Sequence, residues 1–159
     1  MVSIRKMTEA EFAVFARYSI QDYAKDLMQN CSLDPDAAIV QAQQEFSELL
    51  PCGSDTPDNT LMVIEADGHP VGAIWYLYEL TDGIRHTFLN DFIIAPRMRR
   101  RGYAFAALTE MEAHARAHGC TECRLHVWNG NIAARELYAK CGYTAFRETD
   151  DGIYMRKPI

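Results

Sequence analysis

Residues 95–119, APRMRRRGYAFAALTEMEAHARAHG, constrain the fold more than any other segment of the chain. The strand-like run before them, RHTFLNDFII, stops at Pro96, since proline has no N–H to donate to a sheet. From Tyr103, apolar residues recur at helical spacing as far as Gly119, a residue type that often ends helices. The apolar run ECRLHVW follows directly. A helix joining two neighbouring strands predicts that those strands are parallel.

The other segments predict local, mostly antiparallel pairing. VSIRKM is typical of a first strand, and Thr8 with Glu11 forms a capping box for a helix that reaches about Asn30. A second helix is expected from Asp34 to Leu50. Asp67-Gly68 predicts a tight hairpin, and a short helix capped by Asn131 precedes two closing strands, YTAFRE and GIYMRKP. The sequence therefore predicts an α/β fold in one domain, residues 1–159, with a mixed, largely antiparallel sheet of about seven strands and about four helices.

Charge and hydropathy exclude several functional classes. The net charge of −6 argues against a general nucleic-acid binder, and the chain has no second basic stripe. No apolar run reaches the roughly 18 residues of a membrane span, and the first residues lack the apolar core of a signal peptide. We therefore expect a cytoplasmic protein with neither a nucleic acid nor a membrane as its partner.

The cysteines and histidines give no strong metal or redox signal. Five cysteines, an odd number, favour free thiols in a reducing compartment. Cys120 and Cys123 form a C-x-x-C pair, but a zinc site needs a second pair of ligands. His114 and His118 lie four residues apart without the glutamate of a protease-type motif. No metal is expected.

The basic turn before the long helix predicts an anion site. A helix N-terminus exposes unpaired N–H groups, and Gly102 allows a ligand to approach the backbone. We expect one or two of Arg99, Arg100 and Arg101 to contact a pyrophosphate. The Gly-Lys-Ser/Thr ending of a nucleotide-triphosphate loop is missing, as are the spaced glycines of a dinucleotide fold.

Two motifs resemble the GNAT acetyltransferase superfamily. Arg99 to Ala104, RRRGYA, is similar to its coenzyme A loop, Q/R-x-x-G-x-G/A. NGNIAARELYAKCGYTAF, residues 129–146, is similar to its N-x-x-A-x-x-L-Y-x-x-x-G-F/Y pattern. The strand NDFIIAP and the order of elements also agree with the GNAT fold, in which the parallel strands splay apart. QDYAKDL, LLPCGSDTP and VGAIWYL resemble a bacterial subgroup whose acceptors are mostly unassigned.

The resemblance implies an N-acetyltransferase that uses acetyl-CoA as co-substrate. The acetyl group would pass to a primary amine of a small molecule or peptide by direct attack in a ternary complex. Tyr138 would donate a proton to the departing thiolate, since a phenol of pKa about 10 stays protonated at neutral pH. The resemblance implies cofactor contacts in three places. The first is the backbone of the strand residues Phe92, Ile93 and Ile94, and the second is the basic turn with the helix start, Arg99, Arg100, Arg101, Gly102, Tyr103, Ala104 and Phe105. The third is the later helix, at Asn131 and Ala134.

The sequence offers several candidates for the acceptor site and for the general base. The residues expected to contact the acceptor are Tyr18, Asp22, Trp75, Tyr76, Asn90 and Asp91. Base candidates are Asp22, Glu79, Asp91 and His126, although strand alternation predicts Asp91 on the opposite face from Asn90. Some polyamine-acetylating relatives have an acidic residue in place of Asn90, which argues against a polyamine here.

Other interpretations also stay open. A catalytically inactive acyl-CoA-binding or sensor module is the main alternative, although the presence of Asn131 and Tyr138 argues against it. Antibiotics, amino acids, polyamines, peptide N-termini and protein lysines all remain possible acceptors, and a longer acyl donor is not excluded. A homodimer is a reasonable expectation from the resemblance and from the frequency of such assemblies.

Overall fold

A computed structural model describes all of residues 1–159. The sheet has seven strands: β1 Val2–Lys6, β2 Asn59–Ala66, β3 His69–Thr81, β4 Ile84–Ile94, β5 Glu122–Trp128, β6 Thr144–Glu148 and β7 Gly152–Pro158. There are four α-helices: α1 Glu9–Asn30, α2 Pro35–Leu49, α3 Tyr103–Ala117 and α4 Ile132–Lys140. Two single 3₁₀ turns, Gly53–Asp55 and Pro96–Met98, complete the structure. The predicted order of elements is confirmed.

The strands form one sheet in the order β1-β2-β3-β4-β5-β7-β6. Every neighbouring pair is antiparallel except β4 and β5, which are parallel and are joined through α3. The parallel register runs only from His86 opposite Glu122 to Leu89 opposite Leu125. Both strands continue beyond that point, to Ile94 and to Trp128, so they separate at their carboxyl ends.

Helices cover both faces of the sheet. α3 and α4 share a core of 20 buried residues with the central strands, in which Leu108 and Met111 are 1% and 0% exposed. Burial of a side chain of that size contributes about 1.5–3 kcal/mol. On the other face, α1 and α2 pack over β2 and β3 through a smaller cluster that includes Phe15 and Trp75, and against each other around Ala38 and Ala42.

Local signals place the ends of these elements where the sequence predicts them. Thr8 and Glu11 form the reciprocal capping box of α1, and Asp34 accepts a hydrogen bond from the Ala37 amide at the start of α2. Asp67 and Gly68 both have positive φ, at 51° and 79°, as a type I′ hairpin turn requires. None of the helices has the length and apolar character needed to cross a membrane.

Candidate active site

The separation of β4 from β5 opens a cleft along the edge of β4. From Asn90 to Ile94, β4 has no partner strand on its β5 side, so its backbone groups there are free to bind an extended ligand. The cleft has a volume of about 640 Å³. It is lined by α1 at Tyr18 and Asp22, by β4 at Phe92, Ile93 and Ile94, by the basic turn, and by α4.

The start of α3 presents unsatisfied amides to this cleft. Gly102 has φ +82° and ψ −2°, and no side chain caps the helix. The first backbone amide of the helix to find an acceptor is that of Ala106, 3.1 Å from the Gly102 carbonyl oxygen. The amides from Arg101 to Phe105 therefore have no backbone partner, and they lie at the positive end of the helix dipole.

The three arginines of the turn occupy different positions. Arg99 lines the cleft, and its Nε donates to the Ile94 carbonyl oxygen at 2.9 Å, which ties the turn to the end of β4. Arg100 also lines the cleft and has φ +62°. Arg101 is exposed and does not line it. Two guanidinium groups are therefore available to the cleft.

α4 forms the opposite wall. Asn131 caps this helix through its Oδ1, which accepts from the Ala134 amide at 3.2 Å, and both residues line the cleft. Tyr103, Ala104 and Phe105 line it from the α3 side. The cap uses the Asn131 oxygen and leaves the Nδ2 group available to a ligand.

Tyr138 of α4 also lines the cleft. It is 8% exposed, and its ring packs edge-to-face on Tyr143 with the ring centroids 5.9 Å apart. Burial raises the pKa of Tyr138 above its ordinary value, and the nearby Asp91 carboxylate raises it further. The phenol therefore holds its proton firmly at neutral pH.

A second cavity, of about 630 Å³, adjoins the cleft. α1, α2, β4, β5 and the turn between β6 and β7 enclose it, and six of its lining residues are acidic. We call it the acidic cavity. Asp22 lines both the cleft and the acidic cavity, so the two meet at this residue.

A β-bulge in β4 determines which residues face the acidic cavity. Trp75 pairs with Asp91 and Tyr76 with Leu89, which leaves Asn90 as the extra residue. Asn90 and Asp91 both line the acidic cavity as a result. The prediction from alternation, that Asp91 faces away from the Asn90 side, is wrong because the bulge breaks the two-residue period.

The Asp91 carboxylate is poised to exchange protons near neutral pH. Its Oδ2 accepts a hydrogen bond from the Ser19 hydroxyl at 2.5 Å. Burial raises its pKa to about 6, and Asp22 contributes in the same direction, while the Ser19 hydrogen bond opposes the shift. The pKa of Asp26, one helical turn from Asp22, is also raised to about 6 by burial and by the Asp22 and Asp91 charges.

Two further residues expected to contact the acceptor, Trp75 and Tyr76, lie in different places. Trp75 lines the acidic cavity and donates its indole N–H to Asn59 Oδ1 at 2.8 Å. Tyr76, the next residue, lies on the opposite face of the sheet; it is 0% exposed, and its hydroxyl is 3.1 Å from His114 Nδ1. Tyr76 therefore does not belong to the acceptor site.

Of the remaining base candidates, only His126 lies beside the cavity. Burial lowers the pKa of His126, against the opposing effect of Asp151. Glu79 lies outside both cavities, 3.8 Å from His86 at the far end of β3. Sequence reasoning missed several cavity residues because they come from elements distant in the chain: Ser19, Asp26, Glu45, Asp150, Asp151 and Tyr154.

The cysteines and histidines form no site of their own. The five cysteines are unpaired, and none lines the cleft or the acidic cavity. No group of three or more histidine, cysteine, aspartate or glutamate side chains is arranged to hold a metal ion. His114 and His118 lie beside the hydroxyls of Tyr76 and Tyr78.

Comparison with known proteins identifies the family. Residues 17–143 match the profile of the Acetyltransferase (GNAT) family. The chain is 31% identical over 159 residues to YycN of Bacillus subtilis, an uncharacterized N-acetyltransferase, with 99% of each chain covered. YdgE, a second uncharacterized N-acetyltransferase of that organism, is 28% identical over 158 residues, covering 99% of this chain and 98% of YdgE. The chain therefore belongs to the GNAT family of acetyltransferases, and the prediction of an N-acetyltransferase is confirmed.

Solved structures agree. The crystal structure of YycN superimposes with a TM-score of 0.85 at 30% identity, covering 94% of both chains. The PaiA N-acetyltransferase of Thermoplasma acidophilum, solved with coenzyme A, gives a TM-score of 0.75 at 16% identity, covering 100% of this chain and 99% of PaiA. The spermidine N-acetyltransferase of Vibrio cholerae, solved with CoA and spermine, gives 0.65 at 18% identity, covering 98% of this chain and 92% of that one. The predicted GNAT fold is confirmed.

Proposed function

We propose that residues 1–159 form one catalytic domain that transfers an acetyl group from acetyl-CoA to a primary amine. The cleft at the end of the parallel pair meets the acidic cavity at Asp22, which gives a donor site and an acceptor site with a shared boundary. A negatively charged cavity attracts an ammonium group, and the cleft offers cationic and amide groups to phosphates.

The donor would occupy the cleft in an extended form. Its pantetheine arm pairs with the free backbone edge of β4 at Phe92, Ile93 and Ile94, as an added strand would. Its pyrophosphate accepts hydrogen bonds from the amides between Arg101 and Phe105. Arg99 and Arg100 add charge beside the phosphates, whereas Arg101 stays in solvent.

Direct attack by the amine is the chemistry that this arrangement favours. A covalent route needs an activated nucleophilic side chain at the thioester, and no cysteine, serine or threonine lines the cleft. Binding both substrates side by side makes the attack effectively intramolecular. A free amide of β4 would stabilise the negative charge that develops on the thioester oxygen.

Two residues would move the protons: Asp91 as the base and Tyr138 as the acid. The amine arrives as an ammonium ion, and Asp91 takes one proton from it, directly or through a water molecule. Asp91 passes that proton to solvent through the acidic cavity. The neutral amine attacks the carbonyl carbon, the tetrahedral intermediate loses a second proton from nitrogen to the regenerated Asp91 carboxylate, and the C–S bond breaks. Tyr138 gives its proton to the thiolate and recovers one from solvent through the cleft.

The competing proposal is a module that binds acyl-CoA without transferring the acyl group. The acidic cavity argues against it, because a sensor of acyl-CoA alone has no use for an amine site beside the thioester. The two proposals are separated by incubating the protein with acetyl-CoA and a panel of primary amines. Mass spectrometry of the amines and a thiol assay for free CoA give the readouts. Acetylated amine in step with CoA release supports the enzyme, whereas tight acetyl-CoA binding with no acetylated amine supports the sensor.

A further inference from the structure

The acidic cavity holds far more negative charge than one ammonium group requires. None of its 20 lining residues is a lysine or an arginine. Six carboxylates line it: Asp22, Asp26, Glu45, Asp91, Asp150 and Asp151. Charge buried in or near an apolar wall is costly unless it is paired, so this surplus calls for a cationic partner.

The protein itself does not neutralise these carboxylates with lysine or arginine. Asp91 accepts from the Ser19 hydroxyl, Glu45 from the Gln41 amide at 2.9 Å, and Asp151 from the Thr149 hydroxyl at 2.8 Å. His126 lies 3.6 Å from Asp151, but burial lowers its pKa and favours its neutral form. The negative charge therefore stays available to a ligand.

The carboxylates are spread along the cavity and do not converge. Asp22, Asp26 and Asp91 form an inner group beside the cleft, where the Asp22 charge raises the pKa of both Asp26 and Asp91, and the Asp91 charge raises that of Asp26. Asp151 belongs to an outer group at the far end of α1, with its Oδ2 4.0 Å from Cys31 Sγ. Glu45 acts electrostatically on the Cys31 thiol and also on Tyr23, so it extends the outer group along α2 toward the middle of α1.

The geometry of α1 gives the distance between the two groups. Cys31, beside Asp151, lies nine residues after Asp22 and five after Asp26, which corresponds to about 14 Å and about 8 Å along the helix at 1.5 Å per residue. No three of these side chains could hold one metal ion. An elongated ligand with charges at both ends fits this spacing, whereas a point charge does not.

The walls between the two groups are aromatic. Phe88, Trp75, Trp128 and Tyr154 line the cavity, and His126 packs edge-to-face on Trp128 with ring centroids 5.1 Å apart. Aromatic faces accept methylene chains and attract cations. These walls suit aliphatic segments between ammonium groups.

Asn90 provides a further, independent sign of a missing ligand. Its Nδ2 is buried and has no hydrogen-bond partner, although the residue lines the acidic cavity. A buried amide group without a partner is costly, and an amide that turns over can offer its oxygen to an ammonium group. Asn90 itself lacks the carboxylate that some polyamine-acetylating relatives carry at this place, but the bulge brings Asp91 to the same wall.

From these observations we infer that the acceptor is a linear aliphatic amine with at least two ammonium groups. The end that is acetylated lies between Asp22 and Asp91, and a distal ammonium group lies against Glu45 and Asp151. This inference rests on the proposed acetyl transfer and names the substrate class for it.

The test compares amines of matched length. Initial rates are measured with wild-type protein, acetyl-CoA and three series: primary monoamines, α,ω-diamines of increasing chain length, and linear triamines and tetramines. We expect kcat/KM to rise with length until the second charge reaches the outer group, and to exceed that of a monoamine of equal length at least tenfold. The advantage should shrink as salt is added.

A pair of variants on α2 tests the position of the distal charge. Glu45→Gln removes an outer carboxylate, while Glu48→Gln, one turn further on, removes an exposed one outside the cavity. The two are matched because each glutamate accepts from a glutamine four residues earlier, at 2.9 and 3.0 Å. We expect Glu45→Gln to raise KM for the preferred polyamine about tenfold and to reduce its advantage over a monoamine of equal length, and Glu48→Gln to change neither.

The outcomes separate this inference from the proposed function. If monoamines are acetylated as well as diamines of the same length, the inference is overturned and acetyl transfer stands. Equal effects of Glu45→Gln and Glu48→Gln would also overturn the placement of the distal charge. If acetyl-CoA binds and no amine of any series is acetylated, the proposed function fails and the inference with it.

Discussion

Tyr138 gives the most direct residue-level prediction. Tyr138→Phe keeps the ring that packs on Tyr143 and removes only the hydroxyl that we propose as the acid. Loss of a general acid lowers the rate by about 10²–10⁴-fold, so kcat should fall by about that factor. Acetyl-CoA affinity, measured by calorimetry, should stay within a factor of about two, since the backbone and phosphate contacts are untouched.

Tyr143→Phe serves as the matched control for that change. Tyr143 is equally buried, but its hydroxyl donates to Glu112 Oε1 at 3.4 Å in the core, away from the cleft. Its loss should lower the melting temperature slightly and leave kcat unaltered. Similar kcat values for both phenylalanine variants would exclude Tyr138 as the acid.

Asp91 gives a pH-dependent prediction. A base must be ionised to accept a proton, and burial raises the pKa of Asp91 to about 6. The kcat/KM of the wild type should therefore rise as pH increases through about 6 and reach a plateau above it. Asp91→Asn should lower the plateau by about 10²-fold or more and abolish the step near pH 6. A profile in which the step near pH 6 persists in Asp91→Asn would assign it to another group, such as Asp26.

At the scale of elements, the start of α3 can be tested through its glycine. Gly102→Ala adds a Cβ at φ +82°, where protein atoms leave open space within 4 Å. The left-handed conformation costs an alanine about 1 kcal/mol, and the new methyl group intrudes where we place the pyrophosphate. We expect the Kd for CoA to rise about tenfold, as measured by calorimetry.

Gly68→Ala is the matched control for the helix start. Gly68 has φ +79° and equally open surroundings, but it lies in the hairpin between β2 and β3. Both substitutions should lower stability by about the same amount, and only Gly102→Ala should weaken CoA binding. A parallel loss of CoA affinity in both would mean that the α3 start is not the phosphate site.

Several local features of the helices and strands could be predicted from the sequence. The caps at Thr8 and Asp34, the Asp67-Gly68 turn and the parallel pair across α3 follow from local residue patterns, and the structure contains all of them. The bulge at Asn90 does not, because a bulge is a property of the pairing with β3 and leaves no mark on β4 alone. That single extra residue decides that Asn90 and Asp91 share a wall.

The acidic cavity was even less accessible to sequence reasoning. Its carboxylates come from α1, α2, β4 and the turn between β6 and β7, so only the tertiary packing brings them together. The net charge of −6 gives no indication of where the charge collects. The coenzyme A loop that we propose could be predicted from the sequence because its residues are consecutive, from Arg99 to Phe105.

For the whole molecule, the acidic cavity predicts a cost in stability. Burial raises the pKa of Asp26 from 3.8 to about 6, so the folded state binds a proton more tightly than the unfolded state. This contribution to stability is fully present below about pH 4 and is lost as pH rises through about 6. Asp26→Asn should therefore increase the free energy of unfolding by about 1–2 kcal/mol at pH 7.5 and by much less at pH 4.

Urea denaturation at the two pH values checks this prediction. Because Asn keeps the size of the Asp26 side chain and an oxygen that accepts hydrogen bonds, the comparison isolates the charge. A variant that is less stable than the wild type at pH 7.5 would show that the Asp26 charge is compensated within the fold. If Asp26→Asn raises the free energy of unfolding and lowers the rate of polyamine acetylation, the Asp26 charge serves function at a cost to stability.

In the proposed mechanism the amine attacks acetyl-CoA directly, with both substrates held across the junction at Asp22. The most direct measurement is a rapid-quench experiment in which the intact protein mass and the acetylated amine are followed together, with and without amine. Direct attack predicts that the protein mass does not change when acetyl-CoA is added alone, and that the acetyl group appears only on the amine once the amine is added. An acetylated protein that forms without amine, and passes its acetyl group to the amine at the rate of turnover, would contradict direct attack.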